Sequence, residues 1–366
     1  MRSFAYRVGS NMAKKTHTYA ESGVDVDANA AMVGRIRSAV RRTYGPRVID
    51  AYGGFAGLFR LDYDERLFQR NYREPVLVVC TDGVGTKILV AIASRNLRTV
   101  GIDLVAMSVN DLLTVGAEPL LFCDYIAIDK LEPERVAELV EGVADGCTES
   151  GAYLAGGETA EMPDLYRKGD FDLAGFAVGV AERRRIINGR RLIRPGDVVV
   201  GMASSGLHSN GYSLVRKLVF DVAGLKITDH VDALGCTVGQ ELLRPTRIYA
   251  RAVVGLLAKY PVKRVVRGMA NITGGGLPEN LPRILPDDCA MVLKRDTWPV
   301  PAVFDFLQEI GVADDEMFRV FNMGIGYAFV VRPTFAHAVV RHLAKLGERA
   351  YIIGHVKRGK GTVEIR

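Results

Sequence analysis

The sequence lacks several features that would direct it to a membrane or to a cross-linked fold. No run approaches roughly 18 consecutive apolar residues, so no membrane-spanning helix is predicted. The five cysteines are widely spaced and form no C-x-x-C pair, which argues against both a disulfide framework and a zinc site. We therefore expect reduced thiols in a cytoplasmic protein. Short-period repeats and low-complexity tracts are also missing.

The formal net charge of +6 does not point to a nucleic-acid-binding protein, because the basic runs are short. The longest cluster, Arg183–Arg185 with Arg190 and Arg191, has no interleaved aromatic residues of the kind that stack on single strands. An excess of arginine also suits phosphorylated small molecules. We expect a small-molecule substrate, no nucleic acid and no membrane.

The length of 366 residues allows one large or two ordinary domains. Residues 1–16 contain no acidic residue and are expected to form a disordered extension. The first domain is predicted at residues 17–187 and the second at residues 188–366. The boundary is placed near residue 187 because a charged, turn-rich stretch separates two apolar, strand-like segments there.

Hydrophobic patterns predict alternating strands and helices in both halves. In the first half, strands are predicted at residues 76–81, 121–128 and 171–181, helices at 101–116 and 134–150, and a glycine turn at 156–158. In the second half, strands are predicted at 197–203, 325–331 and 350–356, and helices at 210–223 and 245–258.

The motif TDGVGTK, residues 81–87, lies where a buried strand is predicted to end and a helix to begin. Its two glycines would let backbone amides approach a phosphate, and Lys87 would add a positive charge. Asp82 could hold a magnesium ion. The spacing differs from a Walker A loop. An ordinary strand-to-helix turn is the alternative interpretation.

Two further motifs supply carboxylates. Asn110 and Asp111 lie in an otherwise apolar predicted helix, with Asp103 two turns earlier on nearly the same face. The sequence GGE, residues 156–158, places Glu158 after two glycines. Both carboxylate groups are candidate magnesium ligands, although Asp103 and Asp111 could instead lie on the solvated edge of an amphipathic helix.

The second half contains two loops rich in hydrogen-bond donors. SSGLHSNG, residues 204–211, surrounds His208 with hydroxyl and amide groups, a composition that suits a phosphate site with a general acid or base beside it. Helix capping by Ser209 or Asn210, with a structural His208, is the alternative. TGGG, residues 273–276, could present backbone amides to a phosphate or form only a flexible turn.

Together and in this order, these motifs resemble the phosphoribosylformylglycinamidine cyclo-ligase family, also called the AIR synthetases. The resemblance extends from residues 23–27 to residues 321–326. Its most specific segments are SSGLHSNGYSLVRK, residues 204–217, and LLRPTRIY, residues 242–249. It implies an α+β subunit of two domains, with mixed or antiparallel sheets flanked by helices and a barrel-like interface in a homodimer.

The resemblance also implies the chemistry. In this family ATP and Mg²⁺ activate the formyl oxygen of formylglycinamidine ribonucleotide, a phosphoribosylated amidine. Attack by an amidine nitrogen then closes the ring of 5-aminoimidazole ribonucleotide and releases ADP and phosphate in de novo purine biosynthesis. The protein must neutralise phosphate charge and hold the nucleophile near the activated carbon.

The resemblance assigns roles to individual residues. ATP binding is expected at Thr81, Asp82, Gly83, Gly85, Thr86, Lys87, Asn110, Asp111, Gly156, Gly157 and Glu158. Substrate or phosphate binding is expected at Ser205, Gly206, His208, Ser209, Asn210, Asn271, Thr273, Gly274 and Gly275. Magnesium ligands are expected at Asp82, Asp111 and Glu158, and catalytic roles at His208, Lys87 and Asp82.

The chain departs from the family pattern at three positions: Asn271 replaces a histidine, and Ala20 and Arg37 replace lysines. An asparagine can form hydrogen bonds but cannot transfer a proton at neutral pH. Two alternatives therefore stay open. One is a sister enzyme of the superfamily that acts as a small-molecule kinase, and the other is a dimeric nucleotide-binding protein with reduced turnover.

Overall fold

The computed structural model describes residues 26–49, 58–60 and 72–366. The expected extension at residues 1–16, the start of the first domain at residue 17 and the departure at Ala20 lie outside the described residues. In the described part of the chain, no helix has the length and apolar character needed to cross a membrane.

Helices and strands alternate along the described chain. The helices are α1 (Val26–Arg41), α2 (Lys87–Ser94), α3 (Arg98–Leu113), α4 (Pro133–Ser150), α5 (Gly189–Leu192), α6 (Tyr212–Arg216), α7 (Val238–Leu242), α8 (Ala250–Lys259), α9 (Gly276–Asn280), α10 (Ala302–Glu309), α11 (Asp314–Val320) and α12 (Ala336–Lys345). The strands are β1 (Val48–Ile49), β2 (Leu58–Phe59), β3 (Pro75–Gly83), β4 (Glu118–Ile128), β5 (Tyr153–Glu161), β6 (Phe171–Glu182), β7 (Val198–Ala203), β8 (His230–Val231), β9 (Cys236–Thr237), β10 (Val266–Asn271), β11 (Cys289–Leu293), β12 (Ile325–Val331), β13 (Ala350–Arg358) and β14 (Val363–Ile365).

The first large sheet has the strand order β3-β6-β4-β5. Strands β4 and β5 run parallel because helix α4 connects them, whereas β6 is antiparallel to both of its neighbours. Side chains alternate along β3, so that one face packs under α3 and the other face is left exposed. One side of this sheet is therefore a core and the other an open surface.

The second large sheet has the order β10-β12-β7-β13-β11-β14 and is antiparallel except for the pair β11 and β14. Every residue of β12 is buried, so this sheet is covered on both faces. The apolar cluster on one of its faces continues into the core of the first sheet. The predicted class is confirmed: the chain is α+β, with mixed sheets flanked by helices.

Most predicted elements match the structure within a few residues, but the glycine turn predicted at residues 156–158 is wrong. These residues lie inside β5 and pair with β4. The helix predicted at residues 210–223 is not a continuous α-helix. Helix α6 ends at Arg216, and a π-helix follows it to Val222.

Helices α3 and α4 approach closely because glycines face each other at their crossing. A Cβ atom at Gly142 would overlap the carbonyl oxygen of Arg98, and one at Gly101 would overlap the backbone of α4 near Leu139. The backbone contact fixes where α3 lies over the sheet. It therefore also fixes the position of Asp111, near the end of α3.

We predict that Gly142→Ala lowers the free energy of unfolding by about 1–3 kcal/mol, because the added methyl group forces the two backbones apart. Gly34→Ala in α1 is the matched control, since a Cβ atom there meets no neighbour within 4 Å. The control should be neutral or stabilising by about 0.5–1 kcal/mol. Equal stability of the two variants in urea denaturation would contradict the close packing.

Candidate active site

The first part of the site lies where β3 ends and α2 begins. The Gly83 amide donates a 2.8 Å hydrogen bond to Asp82 Oδ1, which fixes this carboxylate beside the turn. Thr86 is the N-cap residue of α2, yet its side chain makes no capping bond, and the first turn contains no acidic residue. The amides of Ile88 and Leu89 donate to backbone carbonyl oxygens of the turn. In the described chain the amides of Gly85, Thr86 and Lys87 have no protein acceptor, so these are the ones left to bind an anion. Thr81 differs, because its side chain is exposed on the open face of the sheet.

A pair of carboxylates and an amide lie beside this turn. Asn271 Nδ2 donates a 2.9 Å hydrogen bond to Asp111 Oδ1, which joins α3 to the end of β10. Burial raises the pKa of Asp82, and the negative charge of Asp111 raises it further, although the Gly83 hydrogen bond opposes them. Burial together with both carboxylates raises the pKa of the neighbouring Cys80 thiol to about 11. The two acids therefore interact, and a cation between them would relieve their repulsion.

Lys87 does not face this site. Its side chain is fully buried, with Nζ 2.7 Å from Asp103 Oδ2, and it donates hydrogen bonds to the carbonyl oxygens of His208 and Arg244. Burial lowers the pKa of Lys87, while the charge of Asp103 opposes that shift. In this structure the ammonium group ties the two domains together, and its expected contact with phosphate stays a prediction that the geometry does not support.

Asn110 also has a structural position. Its side chain donates to the carbonyl oxygen of Arg247 at 2.8 Å and accepts from the amide of Tyr249 at 3.0 Å. Asp103 accepts from the amide of Thr246 at 2.6 Å. Side chains of helix α3 therefore hold the PTRIY segment, residues 245–249, through hydrogen bonds to its backbone. Of the predicted pair, only Asp111 is directed towards the Asp82 turn.

The loop at residues 204–211 uses most of its polar groups internally. Ser205 Oγ donates to the carbonyl oxygen of Pro245 at 2.6 Å, Ser209 Oγ lies 2.9 Å from Thr246 Oγ1, and the carbonyl oxygen of Gly206 accepts from Asn322. These bonds shape the loop. Asn210 is different: its Oδ1 lies 3.7 Å from the position of a Cβ atom at Gly274, beside the TGGG loop.

His208 is 2% exposed and has a left-handed backbone conformation, with φ of 61°. Its Nε2 accepts a 3.2 Å hydrogen bond from the amide of Ser205. Burial lowers the pKa of His208 to about 3, and the charges of Lys87 and Arg247 contribute. The imidazole is neutral at physiological pH and serves as a loop acceptor. Its expected role in proton transfer or phosphate binding stays a prediction that this environment disfavours.

The TGGG loop is held open by one buried side chain. Asn280 Nδ2 donates to the carbonyl oxygens of Gly276 at 2.9 Å and Gly274 at 3.1 Å. Gly275 and Gly276 have φ of 89° and 56°, left-handed values that glycine adopts without strain. In the described part of the chain, the amides of Thr273 and Gly274 donate to no protein acceptor.

The GGE motif lies apart from the other four. In the sheet register, Asp82 pairs with Gly175, Gly175 with Asp124, and Asp124 with Gly157. Asp82 and Gly157 therefore lie in the same row across the sheet, separated by three strand spacings, or about 14 Å. The described residues contain no group of three His, Cys, Asp or Glu side chains that could hold a metal. One chain thus brings Asp82 and Asp111 together but leaves Glu158 at the far edge of the sheet.

Gly157 has a packing reason to be small, whereas a Cβ atom at Gly156 would meet no neighbour within 4 Å. A Cβ atom at Gly157 would overlap the carboxylate of Asp124, which is buried and whose pKa burial raises to about 7. Asp124 was not predicted from the sequence, although it lies on the same buried face of β4 as Phe122 and Ile126. The signal in the sequence was a charged residue at a position of the strand where its neighbours on the same face are apolar.

The other motifs meet at the junction of the two domains. Thr86 Oγ1 lies 3.1 Å from Ser213 Oγ, Asn210 lies beside Gly274, and Asn271 joins Asp111. At the Asn271–Asp111 contact, a cleft of about 300 Å³ opens between β3, α3, β10 and α9. Its polar lining consists of Cys80, Asp111, Thr114, Asn271, Asn280 and Arg283. Asn280 and Arg283 were not predicted from the sequence.

Comparisons with known families agree with the two-sheet organisation. The family described as AIR synthase related protein, N-terminal domain, matches residues 68–181. The family described as AIR synthase related protein, C-terminal domain, matches residues 194–366. Together these matches cover most of the chain.

Curated relatives are similar over almost the full length. A phosphoribosylformylglycinamidine cyclo-ligase of Brevibacillus brevis is 46% identical over 349 residues, covering 95% of this chain and 98% of the relative. The enzyme of the same name from Geobacillus kaustophilus is 49% identical, covering 94% of this chain and 96% of the relative.

Solved structures support the fold alone, because their sequences are distant. Thiamine-monophosphate kinase from Stenotrophomonas maltophilia superposes with a TM-score of 0.65 at 17% identity, covering 92% of this chain and 95% of that one. The hydrogenase maturation protein HypE in complex with ATP superposes with a TM-score of 0.61 at 18% identity, covering 91% and 90%.

We predict that Lys87→Met lowers the free energy of unfolding by about 3–5 kcal/mol, because the Asp103 carboxylate is left buried without its partner. The double variant Lys87→Met with Asp103→Leu should recover part of that loss. Denaturant titration measures both. A single variant with parental stability and only weaker ATP binding would instead favour the phosphate contact expected from the motif.

Proposed function

Because this chain belongs to the phosphoribosylformylglycinamidine cyclo-ligase family, we propose that it closes the imidazole ring of 5-aminoimidazole ribonucleotide in purine biosynthesis. The substrate is formylglycinamidine ribonucleotide, and ATP is consumed to ADP and phosphate. The observation that carries this proposal is identity of 46–49% with cyclo-ligases over about 95% of the chain. The five cysteines are free thiols, which supports a cytoplasmic enzyme.

The ATP phosphates are proposed to lie at the Asp82 turn. The start of α2, whose N-cap residue makes no side-chain capping bond, offers amide donors. The negative charge of Asp111 acts on the Asp82 carboxylate beside this turn. Magnesium binds through one or two carboxylates together with phosphate oxygens, so this donor set fits Mg²⁺. When bound, the ion neutralises charge on the transferred phosphoryl group. Asn271 keeps Asp111 oriented by its hydrogen bond.

The substrate is proposed to occupy the cleft between the two domains. The side chain of Asn210 and the amides of Thr273 and Gly274 supply polar groups on the side formed by the second domain. Ser205, Ser209 and His208 support this wall through their internal bonds. The chain thus holds the activated oxygen near one domain and the ribonucleotide near the other, which brings the attacking nitrogen close to the reacting carbon.

We predict that purified protein with ATP and formylglycinamidine ribonucleotide forms the aminoimidazole product and ADP in equal amounts. Asp111→Asn should lower kcat/KM roughly 10- to 100-fold, because the metal site loses a charge. Asp305→Asn on the exposed side of α10 is the control and should match the parent.

Two outcomes would contradict this function. A phosphorylated compound without ring closure would identify a small-molecule kinase. Normal ATP binding with no substrate-dependent ADP release would identify a nucleotide-binding protein that does not turn over. Product and nucleotide chromatography on one reaction mixture separates the three cases.

A homodimer is proposed from the open face of the first sheet. Leu77, Val79 and Phe176 are 61%, 73% and 49% exposed on the face opposite α3 and α4. A second copy placed with its own open face against this one would bury these side chains in a barrel-like interface. Glu158 projects to the same face, because its neighbour Gly157 faces Asp124 on the helix side. A metal-binding role of Glu158 would therefore be exercised across the interface.

We predict that Val79→Glu converts the dimer to a monomer, because a carboxylate would be desolvated in the interface without a partner. Val262→Glu is the control, since Val262 is 90% exposed in a loop of the second domain. Sedimentation velocity reports the mass of each variant. A parent that sediments as a monomer would contradict the interface.

A further inference from the structure

The domain cleft has one cationic side chain among its lining residues, that of Arg283. Arg283 follows α9 and lies on the exposed rim of the cleft. Asp111 lines the same cleft, but its nearest polar partner is the amide of Asn271 rather than the guanidinium group. The cleft therefore carries separated negative and positive groups, which suits a ligand with a metal-binding end and an anionic end.

Within the described residues, Arg283 forms no ion pair with a carboxylate. Its Nη1 donates a 3.3 Å hydrogen bond to Asn280 Oδ1, and the rest of the guanidinium group is available. Most other arginines near the domain junction are paired: Arg267 with Asp197, Arg247 with Glu348 and Arg244 with Glu241. An arginine held in place but left without a counter-charge is suited to bind a phosphate bidentately.

Asn280 links Arg283 to the glycine loop. Its side-chain amide donates to the carbonyl oxygens of Gly274 and Gly276, while its Oδ1 accepts from Arg283 and from Thr273 Oγ1. Asn280 is 3% exposed, so this arrangement is built into the second domain. The unpaired amides of Thr273 and Gly274 thus belong to the same small unit as the guanidinium group.

We propose that Arg283 binds a phosphate group of a reactant in the domain cleft, with Asn280 as the residue that positions it beside the TGGG loop. The inference rests on the proposed function. Both reactants carry phosphate, as the ribose 5′-phosphate of the amidine or as the triphosphate of ATP. The triphosphate is proposed to lie at the Asp82 turn, which is not among the residues that line this cleft, so the ribose 5′-phosphate is the expected ligand of Arg283.

Steady-state kinetics of Arg283→Met tests this assignment. KM for formylglycinamidine ribonucleotide should rise roughly 10- to 100-fold, because a charge-assisted hydrogen bond is lost, while KM for ATP changes less than about threefold. Arg283→Lys should recover only part of the loss, since an ammonium group cannot bind bidentately. Arg341→Met on the exposed side of α12 is the control.

The amidine nucleoside without its 5′-phosphate sharpens the test. Arg283→Met should turn over this compound as slowly as the parent does, because the compound lacks the phosphate group that Arg283 is proposed to bind. An equal loss on both substrates, or a larger rise in KM for ATP than for the ribonucleotide, would overturn the assignment to the ribose 5′-phosphate.

A binding measurement separates this proposal from the proposed function. Inorganic phosphate at tens of millimolar should raise the thermal midpoint of the parent and of Arg341→Met, and not that of Arg283→Met. This readout requires no turnover. Equal phosphate stabilisation of the parent and Arg283→Met would overturn the site even if the parent is an active cyclo-ligase, whereas an inactive parent that still shows the difference would contradict only the function.

Discussion

The site depends on the buried ion pair between Lys87 and Asp103. Lys87 begins α2 in the first domain, and its ammonium group also holds two carbonyl oxygens of the second domain. Asp103 accepts from the backbone of the PTRIY segment. Removing two charges from water costs several kcal/mol for each ion, so such a pair adds little net stability compared with apolar packing. Its contribution is geometric, because only one arrangement of the two domains satisfies every one of these bonds.

This fixed arrangement explains how distant segments form one cleft. The same α3 that carries Asp103 also carries Asp111 two turns later, so holding the PTRIY segment also sets the distance from Asp111 to β10. Burial raises the pKa of Asp82, and the negative charge of Asp111 raises it further, so the two carboxylates repel each other in the absence of a cation. The protein maintains that unfavourable contact through the packing of α3 on α4, and a bound cation would turn it into a favourable one.

The fold could be predicted from the sequence more fully than the site. Strands such as β12 are continuous apolar runs, and a pattern of that kind specifies an element without knowledge of its neighbours. Motif spacing also located the Asp82 turn and the TGGG loop. It did not specify side-chain direction, and for this reason Lys87 and Asn110 were expected at phosphates although both are committed to backbone groups of the other domain. Arg283 and Asn280 were missed because their significance depends on what lies across the cleft.

Hydrogen-bond satisfaction separates the groups that shape the site from those left to bind a ligand. Ser205, Ser209 and His208 have partners within the protein, and binding a ligand with them would require breaking bonds that hold the loop. In the described chain, Arg283 has no carboxylate partner, and its one side-chain hydrogen bond is to Asn280. The amides of Thr273 and Gly274 have no protein acceptor there. A polar group kept unpaired by a rigid surround is preorganised, since a ligand gains its interaction without paying for rearrangement. The residues most prominent in the motifs therefore include many that build the cleft, and less prominent ones complete its binding surface.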